Sequence, residues 1–214
     1  MKFNKIDLET WPRAEVYTHF LNQQTSYSIT SDINIDKALN FVKTNNYKFY
    51  PLFIYAVLKV VNSNPLYRMD INEDGELGYW DKSVPFYSIF DSEKELFSNI
   101  DTSDTYTFAE FHRDYLADVE KYQNTGKLFP KQPVPANVVN ISMLPWIHTT
   151  GFNLNIENNP NYLLPIVTGG KFEKTDEGIK LPVSLQIHHA VCDGYQASQF
   201  LLKLEDVLSH PEDL

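Results

Sequence analysis

The stretch QIHHAVCDGY, residues 186–195, sets His188, His189, Cys192 and Asp193 within six consecutive positions. Such residues could hold a metal ion, carry an acyl group on a thiol, or take a proton from a substrate. The metal reading is weak. The stretch ends a β-rich run, 179–189, in which neighbouring side chains point to opposite faces, so His188 and His189 cannot reach one ion. Cys192 is the chain's only cysteine and has no cation adjoining it in sequence to lower its pKa, so it reads as a small buried turn residue. A histidine base is left. Alternation groups Val183, Leu185, Ile187 and His189 on one face and Ser184, Gln186 and His188 on the other. At the end of the apolar row, His189 would be partly desolvated and able to accept a proton. The alternative is a core histidine satisfied at a strand end. Asp193 fits the acid of a triad, a helix cap, or half of an ion pair.

These residues need a scaffold, and the pattern predicts one. Strands are expected at 27–35, 86–90, 137–143, 151–156, 162–172 and 179–189, with a hairpin around Asp74-Gly75 in 67–81. Helices are expected at 36–45, opened by Asp36, and at 50–65, with Pro51 at a first helical position. The second is apolar all round and should be buried. Two more follow at 107–123, with Phe108, Phe111, Tyr115, Val119 and Tyr122 on one stripe, and at 195–210. Helices early and late around mostly antiparallel strands imply an α+β fold, a two-layer sandwich on a mixed sheet. No linker or repeat divides the chain, so residues 1–214 read as a single domain.

The 214 residues carry 18 Lys and Arg against 28 Asp and Glu, a net charge of −10. Nucleic acid is therefore not an expected partner, although a few local cations could still hold a small anion. One cysteine gives no internal disulfide, and no apolar stretch is long enough for a signal peptide or a membrane span. A cytoplasmic protein with no membrane partner is the expectation.

The segment also resembles the HHxxxDG signature of the chloramphenicol acetyltransferase family. ETWPR (9–13), KFYP (48–51), GYWD (78–81), LFPK (128–131), NISMLPW (140–146), FNLNI (152–156) and LPIVTGGKF (164–172) follow in that family's order. FLNQQTSYSIT (20–30) is similar to the form in Gram-positive members. The resemblance implies a homotrimer with active sites between subunits. It also implies acetyl transfer from acetyl-CoA, with no metal, to the 3-hydroxyl of chloramphenicol. It makes His189 the general base, Ser142 the oxyanion donor and Thr168 a transition-state support acting through a bound water. Asp193 would pair with Arg13 and hold the motif turn without touching the base. Phe20, Thr25, Phe86, Phe129, Asn140, Phe152, Tyr162 and Ile166 would fall at acceptor-pocket positions. Lys48 and Lys171 would lie near the 3′-phosphate of CoA, with Trp146 flanking the cofactor.

The chain departs from this pattern in places. Phe20 stands where many members have a tyrosine, Gln196 where histidine is usual, and His148 and Thr149 make 146–152 more polar. Phe86 and Thr25 fall at variable positions. These departures spare the transfer residues and bear on the acceptor. Another apolar alcohol or a thiol is the second reading, and a non-catalytic binding protein on the same trimer is the third.

Overall fold

The computed structural model describes residues 2–103, 107–156 and 158–214. The chain begins with β1 (Phe3–Lys5), α1 (Ala14–Asn22), β2 (Ser26–Asn34), α2 (Asp36–Thr44) and α3 (Phe49–Asn62). A hairpin follows, β3 (Met69–Ile71) and β4 (Leu77–Trp80), then β5 (Val84–Asp91), β6 (Leu96–Asp101) and α4 (Phe108–Tyr122). The remainder is β7 (Val138–Met143), β8 (Ile166–Gly169), β9 (Glu173–Thr175), β10 (Gly178–His188) and α5 (Gly194–Ser209). Helix α1 and strands β1, β6 and β9 have no counterpart in the sequence expectations.

Among the described residues, the main sheet runs β2-β10-β8-β7-β5-β6, with β9 added to the start of β10. Only β7 pairs in parallel, with β5 on one side and β8 on the other. A smaller antiparallel sheet runs β1-β4-β3. Helices α2, α4 and α5 all pack against α3, which lies on one face of the main sheet. This is the expected two-layer α+β sandwich. Leu52 to Leu58 of α3 are buried without a break, as an apolar helix inside a core must be. The sheet turns Val139, Ile141, Val167, Val183, Leu185 and Ile187 toward it.

The opposite face is polar. Ser142, Thr168, Ser184 and Thr30 stand side by side across four strands, joined in two pairs: Ser142 to Thr168 at 2.9 Å and Ser184 to Thr30 at 2.6 Å. The chain after β7 crosses this face before returning as β8. Gln186 ties it down, its amide nitrogen donating to the Leu154 carbonyl at 2.7 Å and its oxygen accepting from Leu154 N–H.

Three local expectations need correction. Residues 151–156 form no strand. The strands beneath them are paired on both edges, so their alternation records one-sided packing over a sheet face rather than a ladder. Asp36 is the first residue of α2 and not its cap. Its carboxylate accepts from Ile179 N–H and the Asn34 amide, tying the helix to β10. Pro51 is the third residue of α3, a position still inside the first turn, where a missing N–H costs nothing. No described helix is long and apolar enough to cross a membrane.

Candidate active site

The first half of the site forms where β10 ends. Its apolar row stops at Ile187, and His189 lies beyond the strand with its N–H donating to the Thr25 carbonyl at 2.8 Å. His188, not His189, is the wholly buried histidine, whereas the His189 side chain keeps 29% of its surface exposed. The expectation that His189 extends the apolar row is therefore corrected: the backbone turns first. His188 accepts the Ala190 N–H on Nδ1 at 3.1 Å, so its proton sits on Nε2, which faces the Pro160 carbonyl without a hydrogen bond of normal geometry. Burial, and next the neighbouring His189, hold the His188 pKa below the usual range. It is a structural histidine.

Phe20 lies face to face with the His189 ring, centroids 3.7 Å apart and planes 21° from parallel. Tyr27 flanks the ring at 5.2 Å and donates to the Cys192 carbonyl at 3.0 Å. Cys192 itself is buried, and burial pushes its thiol up to about 12. A nucleophilic thiolate has no support there.

Asp193 caps α5 as Arg13 stands at the start of α1. The two form a forked pair at 3.0 and 3.2 Å, as the resemblance implied. The hydrogen bonds from Arg13 hold the Asp193 carboxyl below its ordinary pKa. The expectation that Asp193 stays away from the base is corrected. Its Oδ1 lies 3.4 Å from Nδ1 of His189, a buried nitrogen that makes no hydrogen bond. Gln196 fixes this arrangement by accepting the Asp193 N–H on Oε1 at 2.9 Å. The return contact, from Gln196 N–H to the Asp193 carboxylate, completes a capping box but is looser. The Asp-x-x-Gln spacing is the sequence signal that could have found it.

The second half lies under the crossing segment, around a cavity of about 440 Å³ lined by Phe86, Asn140, Ser142, Leu154, Tyr162 and Ile166. Phe129 stacks on Phe86 at 5.9 Å, and the Asn140 amide donates to the Tyr162 hydroxyl. Burial, and then the charge of Asp70, raise the pKa of that hydroxyl, so it stays protonated. Phe152 is half-buried outside this lining. A neighbouring cavity of about 490 Å³, with Gln24, Ser26, Gln186 and His188 in its walls, includes neither Ser142 nor His189.

A third cavity, about 380 Å³, has Lys48, Tyr50, Phe90, Tyr115, Met143 and Trp146 in its walls. Ser88 borders both this groove and the Ser142 cavity. The Tyr50 hydroxyl donates to the carbonyls of Ser88 and Ile141, fixing α3 against the strands between them. Lys171 does not line the groove. It reaches the same end because Phe172 meets Phe49 at 6.3 Å and Lys171 N–H donates to the Ile147 carbonyl. His148 is 3.8 Å from both Asp32 and Glu173, and Thr149 is packed against Gly170, where an added Cβ would lie 2.7 Å from its hydroxyl. Neither lines the Ser142 cavity, so the polar departures at 146–152 do not reshape that pocket.

The two halves do not meet within one chain. Ser142 is two strands from Ser184, and β10 runs four residues further to His188, on the order of 13 Å at about 3.3 Å per residue, with His189 just beyond its end. Phe20, Thr25 and His189 thus form one group, and Ser142, Thr168, Phe86, Asn140, Tyr162 and Ile166 another. Among the described residues, no group of three or more His, Cys, Asp or Glu is placed to hold a metal ion.

The family model described as chloramphenicol acetyltransferase matches residues 1–205. A chloramphenicol acetyltransferase of Staphylococcus aureus is 53% identical over 213 residues, covering 100% of this chain and 99% of that protein. One from Staphylococcus intermedius is 46% identical over the same shares. A solved chloramphenicol acetyltransferase structure superposes with a TM-score of 0.87 at 24% identity, over 97% of this chain and all of the other. That likeness independently supports the fold, and the whole-length identities establish the kinship: this chain belongs to the chloramphenicol acetyltransferase family.

Proposed function

We propose that this chain is an O-acetyltransferase that moves the acetyl group of acetyl-CoA to the 3-hydroxyl of chloramphenicol. It acts as a single domain within a homotrimer whose active sites lie between subunits. The observation that carries this reading is the separation of its parts: a histidine beyond the end of β10, and a pocket with a paired serine and threonine over the middle strands β7 and β8. A second copy unites them.

The residues divide the chemistry. Nδ1 of His189 is buried toward Asp193, so the exposed part of the ring presents Nε2, which removes the acceptor proton as the hydroxyl oxygen attacks the thioester carbon. Ser142 donates to the oxyanion that forms. Thr168, 2.9 Å away, donates to the Ser142 oxygen and so leaves the serine proton free to point at substrate, while a bound water on Thr168 extends the support. Collapse of the intermediate expels the CoA thiolate, which takes the proton back from the imidazolium. The acetyl group never rests on the protein, in keeping with the protonated, buried Cys192.

The cavities fit the two substrates. The Ser142 cavity, with Phe86, Phe129, Tyr162 and Ile166 around it, suits an aromatic acceptor. The groove at Lys48 and Trp146 suits the cofactor, with Lys171 adding charge for the 3′-phosphate on an otherwise acidic protein. Incubation with acetyl-CoA and chloramphenicol, followed by mass spectrometry, should show chloramphenicol heavier by one acetyl group. A folded, CoA-binding protein that leaves chloramphenicol unchanged would move the assignment to a different acceptor.

A further inference from the structure

Lys48 opens α3 with extended backbone, and its side chain has no atom that can accept a hydrogen bond. The third helical residue is Pro51, so the reciprocal contact by which a Glu or Gln would hold the Lys48 N–H is missing. His112, on α4, supplies the acceptor from outside: the Lys48 N–H donates to its Nε2 at 3.1 Å. The ring is buried, with Tyr47 at 4.8 Å and Phe108 at 5.8 Å. One turn further along α4, Tyr115 lines the same groove as Lys48.

An imidazole accepts on Nε2 only while it is neutral with its proton on Nδ1. Lys48, the charged group that faces the ring, opposes its protonation, and Tyr47 and Phe108 bring no charge at neutral pH. Among the described residues, no carboxylate pairs with it. Burial first, and Lys48 second, lower the His112 pKa. The neutral ring and the Lys48 backbone therefore hold together near pH 7. In acid the acceptor is lost and a second positive charge appears beside Lys48.

We propose that His112 is a positioning residue: its neutral imidazole pins Lys48 at the rim of the groove, and its protonation releases that lysine and weakens CoA binding without altering the transfer chemistry. This rests on the reading of Lys48 as a contact of the 3′-phosphate. Two measurements separate the proposal from that reading. The first is calorimetric binding of CoA and of 3′-dephospho-CoA at pH 8 and pH 5.5 to the wild type, Lys48→Ala and His112→Gln. Glutamine keeps an oxygen that can accept the N–H but does not titrate. The phosphate itself titrates near pH 6, equally in every protein, so the comparison with His112→Gln cancels it. The wild-type preference for CoA should fall about two- to thirteenfold more on acidification than that of His112→Gln, the range for one hydrogen bond. The second is the amide resonance of Lys48 in the ligand-free protein, which should follow the titration of His112 in the wild type and stay fixed in His112→Gln. Equal declines in the two proteins, or a Lys48 resonance indifferent to the His112 ring, would overturn the proposal. An undiminished preference in Lys48→Ala with a titrating Lys48 amide would overturn the phosphate reading instead, and with it the link to CoA.

Discussion

Two inactive variants should restore each other. On the proposed reading, His189→Ala lacks the base and keeps the serine pocket, whereas Ser142→Ala keeps the base and lacks the oxyanion donor. If each site takes its histidine from one chain and its serine from the next, a mixed assembly contains complete sites. The two residues lie on the order of 13 Å apart along β10 alone, against about 6 Å for a base and an oxyanion donor that each stand about 3 Å from the reacting atoms. No single chain can close that distance. Random assembly from equal amounts places an intact histidine beside an intact serine at about one junction in four in a cyclic assembly. The mixture should then show roughly a quarter of wild-type activity, since the restored sites have the full machinery. Each variant alone should be far lower, because loss of one oxyanion donor already costs about 10²–10³ in rate. The assay is co-refolding of the two denatured variants, followed by acetyl transfer at saturating substrates, with each variant refolded alone as control. Light scattering on the same samples should give three times the 24.8 kDa chain mass. A mixture no more active than the sum of its parts, at that mass, would mean that the site is built within one chain and that the distance reasoning is wrong.

Phe20→Tyr should keep the ring stacked on His189 and add a hydroxyl toward the acceptor. KM for chloramphenicol should fall about two- to thirteenfold with kcat nearly unchanged, the range expected for one neutral hydrogen bond, as steady-state kinetics with chloramphenicol varied would show. Asp193 has a lowered pKa in the folded chain, so the stabilisation from its pair with Arg13 is complete above about pH 4 and fades as pH falls through the lowered value. Thermal melting of wild type and Asp193→Asn should therefore differ by a constant gap at neutral pH that narrows in acid, below the ordinary carboxylate range. A gap that persists in acid would trace the loss to the α5 cap and not to the ionised pair.

Local patterns in this chain translate well into local structure. The apolar run of α3, the Asp74-Gly75 turn and the stripe of α4 each state their own burial, because the periodicity that makes an element is the one that packs it. The same logic fails where one pattern serves two ends. Residues 151–156 alternate like a strand because one side lies on the sheet, yet their anchor is the side chain of Gln186, 32 residues beyond the Leu154 it holds and invisible to any local window. His189 misleads for a related reason. Alternation holds only while the strand lasts, and β10 turns at His188, so the part-exposed His189 and the buried His188 exchange the places that a simple count assigns.

What no reading of one chain's residues could supply is the distance between His189 and Ser142. The motif resemblance put both in one site, and the register of β7, β8 and β10 shows that a single subunit separates them. Joined to the resemblance, that separation supports the proposed assembly, in which the end of β10 and the pocket over β7 and β8 would each complete a different neighbour's site. The contacts around His189 fit such a demand. Phe20 clamps one face of the ring, Asp193 faces its buried nitrogen, and Gln196 and Arg13 hold Asp193. On the proposed reading, a base that meets a pocket on another chain has to be oriented before the chains associate, since the pocket cannot help to place it until they do.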